Sequence, residues 1–360
     1  MSYDTFFRLA LGLAALVSGA DVLVRGASQL ARSLGVSSLV IGLTVVAFGT
    51  SAPELFISVL SLLKGQADIS VGNVVGSNIA NVLLILGSSA LVAPLVVSAQ
   101  LIRLDVPVMI GSSFLVFLLS FNGKLGRVEG AVLIIAGVLY TLNLVRLQKR
   151  QADSKAADKP TMIVSGSAFK ALIQVAMIVG GLALLVWGAD WLVSAATLIA
   201  RSLGVSELVI GLTVVAGGTS LPEFATSMIA AFRGARDIAI GNVVGSCILN
   251  LLMVLGVAGL VAPNGIELNP AILSFDLPVM IAVSVACLPI FFTGHRIARW
   301  EGALFLGYYV AYTVFLMLSA SRHDALPVFS RVMMAFVIPL TVITLLILAI
   351  RAVKIRGREI

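Results

Sequence analysis

Two short polar stretches interrupt segments of the sequence that are otherwise apolar. Gly-Thr-Ser-Ala-Pro-Glu occupies residues 49–54, and Gly-Thr-Ser-Leu-Pro-Glu occupies residues 218–223. An unpaired carboxylate buried in apolar surroundings costs several kcal/mol, so a glutamate deep in an apolar segment indicates a functional site. Here the glutamate occurs twice, as Glu54 and Glu223. The rest of the chain is therefore expected to position these two carboxylates.

The neighbours of each glutamate supply further oxygen atoms. Thr50 and Glu54 are four residues apart and would share one face of a helix, with Ser51 beside them. Pro53 has no N–H to donate to the Gly49 carbonyl one turn earlier, so it is expected to free carbonyls near Ala47, Phe48 and Gly49. The same arrangement recurs around Glu223 and consists of Thr219, Ser220, Pro222 and the carbonyl of Ala216.

This set of oxygens suits hard cations. Carboxylate, hydroxyl and carbonyl oxygens bind Ca2+ and Na+, whereas soft metals prefer sulfur or imidazole, which neither stretch contains. Two facing carboxylates repel unless cations or protons lie between them, and their charge balances one divalent ion. The pair could also hold monovalent ions or protons. The alternative is two kinked helices whose hydroxyls bond to their own chain and whose glutamates either snorkel to the membrane surface or pair with arginine.

The segment that follows each stretch contains a second polar pair. Ser77 and Asn81 are four residues apart, as are Ser246 and Asn250. Their neutral oxygens could complete a coordination shell or form hydrogen bonds between helices. Other duplicated residues have simpler predicted roles, namely G-x-x-x-G packing for Asn73, Asn242, Gly72, Gly76, Gly241 and Gly245, and solvated or capping positions near helix ends for Asp21, Asp105, Asp190 and Asp276.

Composition assigns the chain to the membrane. Of its 360 residues 59% are hydrophobic and only 11% are charged, against about 25% charged in soluble domains. The basic residues lie between apolar segments, so the net charge of +7 indicates membrane orientation and contact with a lipid bilayer, not nucleic acid. No phosphate-binding loop is present, which argues against a nucleotide, and His295 and His323 lack catalytic neighbours. We therefore expect neither an enzyme nor a cofactor.

Apolar segments of about 20 residues predict eleven membrane helices, and ten of these form two repeats. Residues 32–54 match residues 201–223 at 20 of 23 positions, and residues 72–87 match residues 241–256 at 11 of 16, both at an offset of 169. The predicted spans are 5–25, 37–63, 70–93, 104–121, 128–147, 168–192, 206–232, 239–261, 274–292, 300–319 and 328–350.

Each repeat has five helices, and this odd number requires the second copy to be inverted. The predicted units are residues 1–145 (first repeat), 146–167 (solvated cytoplasmic linker), 168–320 (second repeat) and 321–360 (additional helix and basic tail). The side that holds the linker and the C-terminus has 17 of the 24 Lys and Arg residues. We expect the protein to lie in the cell (inner) membrane. By the positive-inside rule, its N-terminus is on the outside and its linker and C-terminus are cytoplasmic.

The two motifs together resemble a known family. Each Gly-Thr-Ser-x-Pro-Glu is followed by Gly-Asn-Val-Val-Gly-Ser-x-x-x-Asn in the next helix. These pairs resemble the two α-repeats of the sodium/calcium exchanger branch of the cation/calcium antiporter superfamily, in its prokaryotic form without a large regulatory domain. The resemblance covers residues 5–320 and implies a ten-helix core with four cation sites clustered at the bilayer centre.

The resemblance also implies roles for individual residues. Glu54 and Glu223 would bind calcium with backbone oxygens of Thr50 and Thr219, and Asn81 and Asn250 would flank the central position. The sodium sites would be lined by Ser51, Ser77, Ser220 and Ser246 and by the carbonyls of Ala47 and Ala216. Several relatives have Asp where this chain has Asn250, so the central position has two carboxylates here and the coupling ion stays open.

The expected function is secondary antiport of Ca2+ out of the cytoplasm against inward Na+, by alternating access around one oxygen cluster. A Ca2+/H+ antiporter of the same fold is the first alternative, because two buried glutamates could carry protons. A passive cation channel is the second, because its site would also be lined with oxygen.

Overall fold

The computed structural model describes residues 3–158, 168–203, 216–262 and 264–356, and most of them lie in helices. In chain order the helices are α1 (Tyr3–Leu34), α2 (Ser38–Leu63), α3 (Ala67–Val92), α4 (Leu101–Leu119), α5 (Arg127–Asp158), α6 (Ala168–Ser202), α7 (described over Ala216–Gly218 and Leu221–Phe232), α8 (Arg236–Val261), α9 (Ile272–Phe292), α10 (Arg299–Ala320) and α11 (Leu326–Ile347, continuing to Arg356). Ten of them are long and apolar enough to cross a membrane, counting only described residues.

The helix boundaries differ from the predicted ones in three places. α1 continues to Leu34, α5 continues to Asp158 through the first part of the predicted linker, and α6 continues to Ser202. The predicted start of α7 at 206 and the linker residues 159–167 lie outside the described residues. Gly65 and Gly234 end α2 and α7 with positive φ angles of 74° each, the usual role of glycine just past a helix.

Two pairs of short strands connect the loops of the two repeats. β1 (Leu95–Val96), between α3 and α4, pairs with β4 (Arg296–Ile297), between α9 and α10. β2 (Lys124–Leu125), between α4 and α5, pairs with β3 (Ile266–Glu267), between α8 and α9.

These pairings define the relation between the repeats. Successive loops of a helical membrane protein lie on alternate faces, so the third loop of the first repeat shares a face with the fourth loop of the second. The two repeats therefore have opposite orientations. The fold is an all-α polytopic membrane protein with two inverted five-helix repeats and one additional C-terminal helix.

The most buried helices are α3 and α8, whereas α1 and α6 pack against each other at the periphery. Glycines permit the close approach of α1 and α6. A Cβ added at Gly19 would lie 2.8 Å from the carbonyl oxygen of Gly181, and one added at Gly12 would lie 3.0 Å from that of Gly188. No other residue fits these crossing points without separating the helices.

The aspartates predicted near helix ends have other environments. Asp105 is fully buried near the start of α4, where its Oδ1 accepts a hydrogen bond from Tyr140 Oη at 3.0 Å. Its repeat counterpart Asp276 accepts from Tyr312 Oη at 2.8 Å. Asp21 lies inside α1 and forms salt bridges with Arg25 and Arg233. The prediction of solvated or capping positions is therefore wrong for Asp105, which is buried against Tyr140, and for Asp21, which pairs with Arg25 one turn away and with Arg233 of the second repeat.

Helix α11 packs against α9 and α10. Tyr308 Oη on α10 donates a hydrogen bond of 2.7 Å to Thr341 Oγ1 on α11. Between the three helices lies an apolar cavity of about 310 Å³.

Candidate cation-binding site

The backbone breaks at the serine of each polar stretch. Ser51 has φ −83° and ψ 4°, and a new helical segment begins at Ala52 with Pro53 in its first turn. Ser220 has φ −87° and ψ 5°, and Leu221 and Pro222 begin the corresponding segment of α7. A proline in the first helical turn needs no N–H donor, so the sequence permits a break there at little cost.

The break leaves the acidic residue in the first turn of the new segment. Glu54 and Glu223 are each in this position, where the partial positive charge of a helix N-terminus stabilises a carboxylate. The Ala47 carbonyl, however, still accepts a hydrogen bond of 3.0 Å from the Ser51 N–H. Pro53 therefore does not free the Ala47 carbonyl, and Thr50 Oγ1 also lies 3.4 Å from the same oxygen. Ala216 lies one turn before Ser220, at the beginning of the described part of α7.

Each glutamate receives a hydrogen bond from the serine of the opposite repeat. Ser51 Oγ donates to Glu223 Oε1 at 3.1 Å, and Ser220 Oγ lies 3.4 Å from Glu54 Oε1. Ser77 Oγ lies 3.5 Å from the same Glu54 oxygen. The structure therefore brings the two polar stretches, which are 169 residues apart, into one buried cluster.

Several buried polar atoms of this cluster have no hydrogen-bond partner among the described residues. They are Oε2 of Glu54, Oε2 of Glu223, Oγ of Ser246 and both amide atoms of Asn81 and Asn250. The exposed fraction is 1% for Glu54 and 0% for Glu223. Neither glutamate forms a salt bridge within the described part of the chain, which argues against the alternative of arginine pairing. Uncommitted anionic and amide oxygens fit Ca2+ or Na+ bound as substrate.

The helices behind the cluster are locally widened. π-Helical turns begin at Asn81 in α3 and at Asn250 in α8. π-Turns are rare, and they often occur at functional sites. The sequence contains no proline or glycine at either asparagine that could have indicated these turns.

Asn73 and Asn242 have a different role from the one predicted. Asn73 bonds the Glu54 backbone and the Thr219 hydroxyl, and Asn242 bonds the Glu223 backbone and the Thr50 hydroxyl. The packing role predicted for these asparagines is therefore wrong. Their identity in the two repeats was the one available signal of a polar role.

Gly241 and Gly245, the glycines near Asn242, pack closely against α2 as predicted. A Cβ added at Gly241 or Gly245 would lie 2.8 Å or 2.6 Å from a carbonyl oxygen of α2, that of Leu39 or Leu43 respectively. For Gly72 and Gly76, no described atom lies within 4 Å of an added Cβ. By the repeat offset, the counterparts of Leu39 and Leu43 are residues 208 and 212, which are outside the described ranges.

Comparison with known proteins identifies the family. The sequence profile of the family described as "Sodium/calcium exchanger protein" matches residues 5–146 and 173–318. The chain belongs to this family. The two matched ranges correspond to the two repeats, and α11 lies beyond them.

Relatives of this exchanger-family chain extend over most of its length. It is 36% identical to the sodium/calcium exchanger MaX1 of Methanosarcina acetivorans, over 86% of this chain and 98% of the relative. It is 37% identical to the inner membrane protein YrbG of Escherichia coli, over 77% of this chain and 85% of that protein. A solved structure of the sodium-calcium exchanger NCX_Mj, soaked with zero Na+ and Ca2+, matches with a TM-score of 0.76 and 30% identity. That match covers 88% of this chain and 100% of the solved chain.

Proposed function

We propose that this protein is a secondary active antiporter that exchanges Ca2+ for Na+ across the membrane. The observation that supports the proposal is the convergence of Glu54 and Glu223, one from each inverted repeat, in a buried cluster with uncommitted oxygen atoms. An oxygen cluster at the interface between inverted repeats is what alternating access requires, because either half can then open the same site.

In this proposal each residue of the cluster has one role. Glu54 and Glu223 bind Ca2+ together with the main-chain oxygens of Thr50 and Thr219, and Asn81 and Asn250 flank the central position. Na+ is bound by a set that consists of the hydroxyls of Ser51, Ser77, Ser220 and Ser246 and the carbonyls of Ala47 and Ala216.

The charge of the cluster explains why transport would be coupled. Two carboxylates without a counter-ion in the protein interior carry a large desolvation cost. The protein therefore switches between the two access states when Ca2+ or Na+ neutralises the glutamates, and it does not switch when the site is empty. Since Asn250 is uncharged, the net charge to be neutralised is set by Glu54 and Glu223 alone.

Ion-replacement flux measures this function directly. In proteoliposomes that contain Na+, an outward Na+ gradient is expected to drive uptake of radioactive Ca2+, and replacing internal Na+ with K+ or choline should stop it. A pH gradient in sodium-free buffer should give no uptake above that of protein-free vesicles. Uptake driven by the pH gradient alone would support Ca2+/H+ exchange instead, and Ca2+ entry without any internal counter-ion would indicate a channel.

We further propose that the protein lies in the cell (inner) membrane with its N-terminus outside and with its linker and C-terminus in the cytoplasm. Residues 1–145, 146–167, 168–320 and 321–360 are its proposed units. The 17 Lys and Arg residues on the linker side support this orientation.

Cysteine labelling tests the orientation. Both native cysteines, Cys247 and Cys287, are buried and should label weakly. Lys64 is exposed in the loop after α2, and Lys170 is exposed near the start of α6. In intact cells a membrane-impermeant maleimide should label Lys64→Cys and should label Lys170→Cys only after the membrane is opened. The reverse pattern would contradict the proposed orientation.

A further inference from the structure

The asparagine of each Gly-Asn-Val-Val-Gly-Ser segment forms the same set of hydrogen bonds in both repeats. Asn73 Nδ2 donates to the Glu54 carbonyl oxygen at 3.3 Å and to Ser58 Oγ at 3.0 Å. Its Oδ1 accepts a hydrogen bond of 3.2 Å from Thr219 Oγ1 of the other repeat. One amide side chain thus connects three residues that come from both halves of the protein.

The second copy repeats these bonds with nearly the same lengths. Asn242 Nδ2 donates to the Glu223 carbonyl oxygen at 3.3 Å and to Ser227 Oγ at 3.0 Å. Asn242 Oδ1 accepts from Thr50 Oγ1 at 3.0 Å. A backbone carbonyl can only accept, so Nδ2 must face the glutamate and Oδ1 must face the threonine. The orientation of both amides follows from their partners.

These hydrogen bonds join a glutamate and a threonine that belong to the same proposed cation site. Asn242 contacts Glu223 and Thr50, and Asn73 contacts Glu54 and Thr219, so each asparagine spans the interface between the repeats. The Thr50 hydroxyl donates its hydrogen to Asn242 Oδ1, which holds the Thr50 side chain in place beside its own main-chain carbonyl. Ca2+ takes 6–8 oxygens at about 2.3–2.6 Å, so its binding depends on how closely the two halves hold their ligands together.

We propose that Asn73 and Asn242 are positioning residues of the cation site. Each one fixes the threonine of one repeat relative to the glutamate of the other and does not itself contact the ion. The proposal rests on the proposed Ca2+ transport by this cluster. Partners of metal ligands that lie one shell further out typically contribute 10–100-fold to metal affinity.

Removing the amide should weaken Ca2+ binding more than it slows turnover. For Asn242→Ala we expect the Ca2+ concentration at half-maximal uptake to rise by about 10-fold or more, with the maximal rate within about two-fold of wild type. Thr50→Val, which keeps the main-chain carbonyl but removes the hydroxyl, should have the same effect, and Thr50→Ser a smaller one. An unchanged half-maximal concentration in Asn242→Ala would overturn the proposal.

The cross-repeat pairing gives the sharpest test. Asn242→Ala combined with Thr50→Val should raise the half-maximal concentration no more than the larger single change, because both remove the same bond. Asn242→Ala combined with Thr219→Val should instead multiply the two single effects. Equal behaviour of the two double variants would contradict a connection between Asn242 and Thr50.

Asn78→Cys is the matched control. Asn78 is buried on the same helix as Asn73, but among the described residues its Nδ2 donates to the Val74 carbonyl one turn away, at 2.8 Å, and to no residue of the other repeat. The equivalent residue in the second repeat is Cys247, so cysteine already fits this position. This variant should keep the wild-type half-maximal concentration, and a rise equal to that of Asn73→Ala would overturn the specific role of Asn73.

A binding measurement separates failure of this proposal from failure of the proposed function. Stabilisation of the purified protein by Ca2+ alone, followed as a shift in Tm, reports affinity without transport. If wild type shows the shift but no Na+-driven uptake, antiport is wrong and the positioning role can still be tested. If wild type transports Ca2+ but Asn242→Ala shows the wild-type Ca2+ dependence of Tm, the positioning role is wrong.

Discussion

Glu54→Gln and Glu223→Gln will each reduce Na+-driven Ca2+ uptake to the level of protein-free liposomes. Glutamine has nearly the same shape and can still accept the serine hydrogen bond that each Oε1 receives. It removes the negative charge, however, so the cluster no longer balances a divalent ion. Uptake of radioactive Ca2+ into vesicles with internal Na+ measures the effect.

The control for this loss is Glu301→Gln. Glu301 is also buried, with 3% of its surface exposed, but its Oε2 caps the start of α10 by accepting from the Ala298 N–H at 2.7 Å. Glutamine can occupy this capping position, so Glu301→Gln should retain uptake. Wild-type uptake in either Glu54→Gln or Glu223→Gln, in protein that elutes as a monodisperse peak, would contradict the assignment of the carboxylates.

The sequence predicted the architecture because a repeat with an odd number of helices has one consistent topology. The apolar segments, the offset of 169 and the duplicated glutamates are all local or periodic properties of the chain. The strand pairs β1–β4 and β2–β3 then confirm inversion in a way that no periodicity could, because each pair joins loops from different repeats.

The details of the cluster depend on contacts between distant residues, and these the sequence did not reveal. Nothing near Ser51 predicts that its hydroxyl reaches Glu223, because the relative height of α2 and α7 follows from packing. The sequence around Asn73 would be the same whether this residue packed or formed hydrogen bonds. Its role becomes visible through its hydrogen bond with Thr219 of the other repeat.

Helix boundaries and isolated aspartates were mispredicted for different reasons. The predicted linker begins at residue 146, but lysine, arginine, glutamine and alanine are good helix formers, and α5 continues through this polar region to Asp158. Asp105 lies close to the start of α4, where solvation is common, yet Tyr140 from α5 covers it. Local helix propensity therefore decides the end of α5, whereas a neighbouring helix decides the environment of Asp105.

Gly245 precedes Ser246 where α8 packs against α2, and Gly245→Ala should impair both stability and transport. The added methyl carbon would lie 2.6 Å from the Leu43 carbonyl oxygen and 2.8 Å from the Ala47 side chain. Backbone atoms of α2 cannot move away independently, so the two helices must separate. Overpacking of this kind costs about 1–3 kcal/mol.

This separation acts directly on the proposed site, because α2 carries Thr50 and Glu54 and α8 carries Ser246 and Asn250. We therefore expect Gly245→Ala to lower Tm by several degrees and to reduce uptake by about 10-fold or more even at temperatures where the protein stays folded. Gly307→Ala on α10 is the control, since no described atom lies within 4 Å of the added carbon and alanine favours a helix. Equal Tm and uptake in the two variants would show that the contact between α8 and α2 does not hold the cation ligands in place.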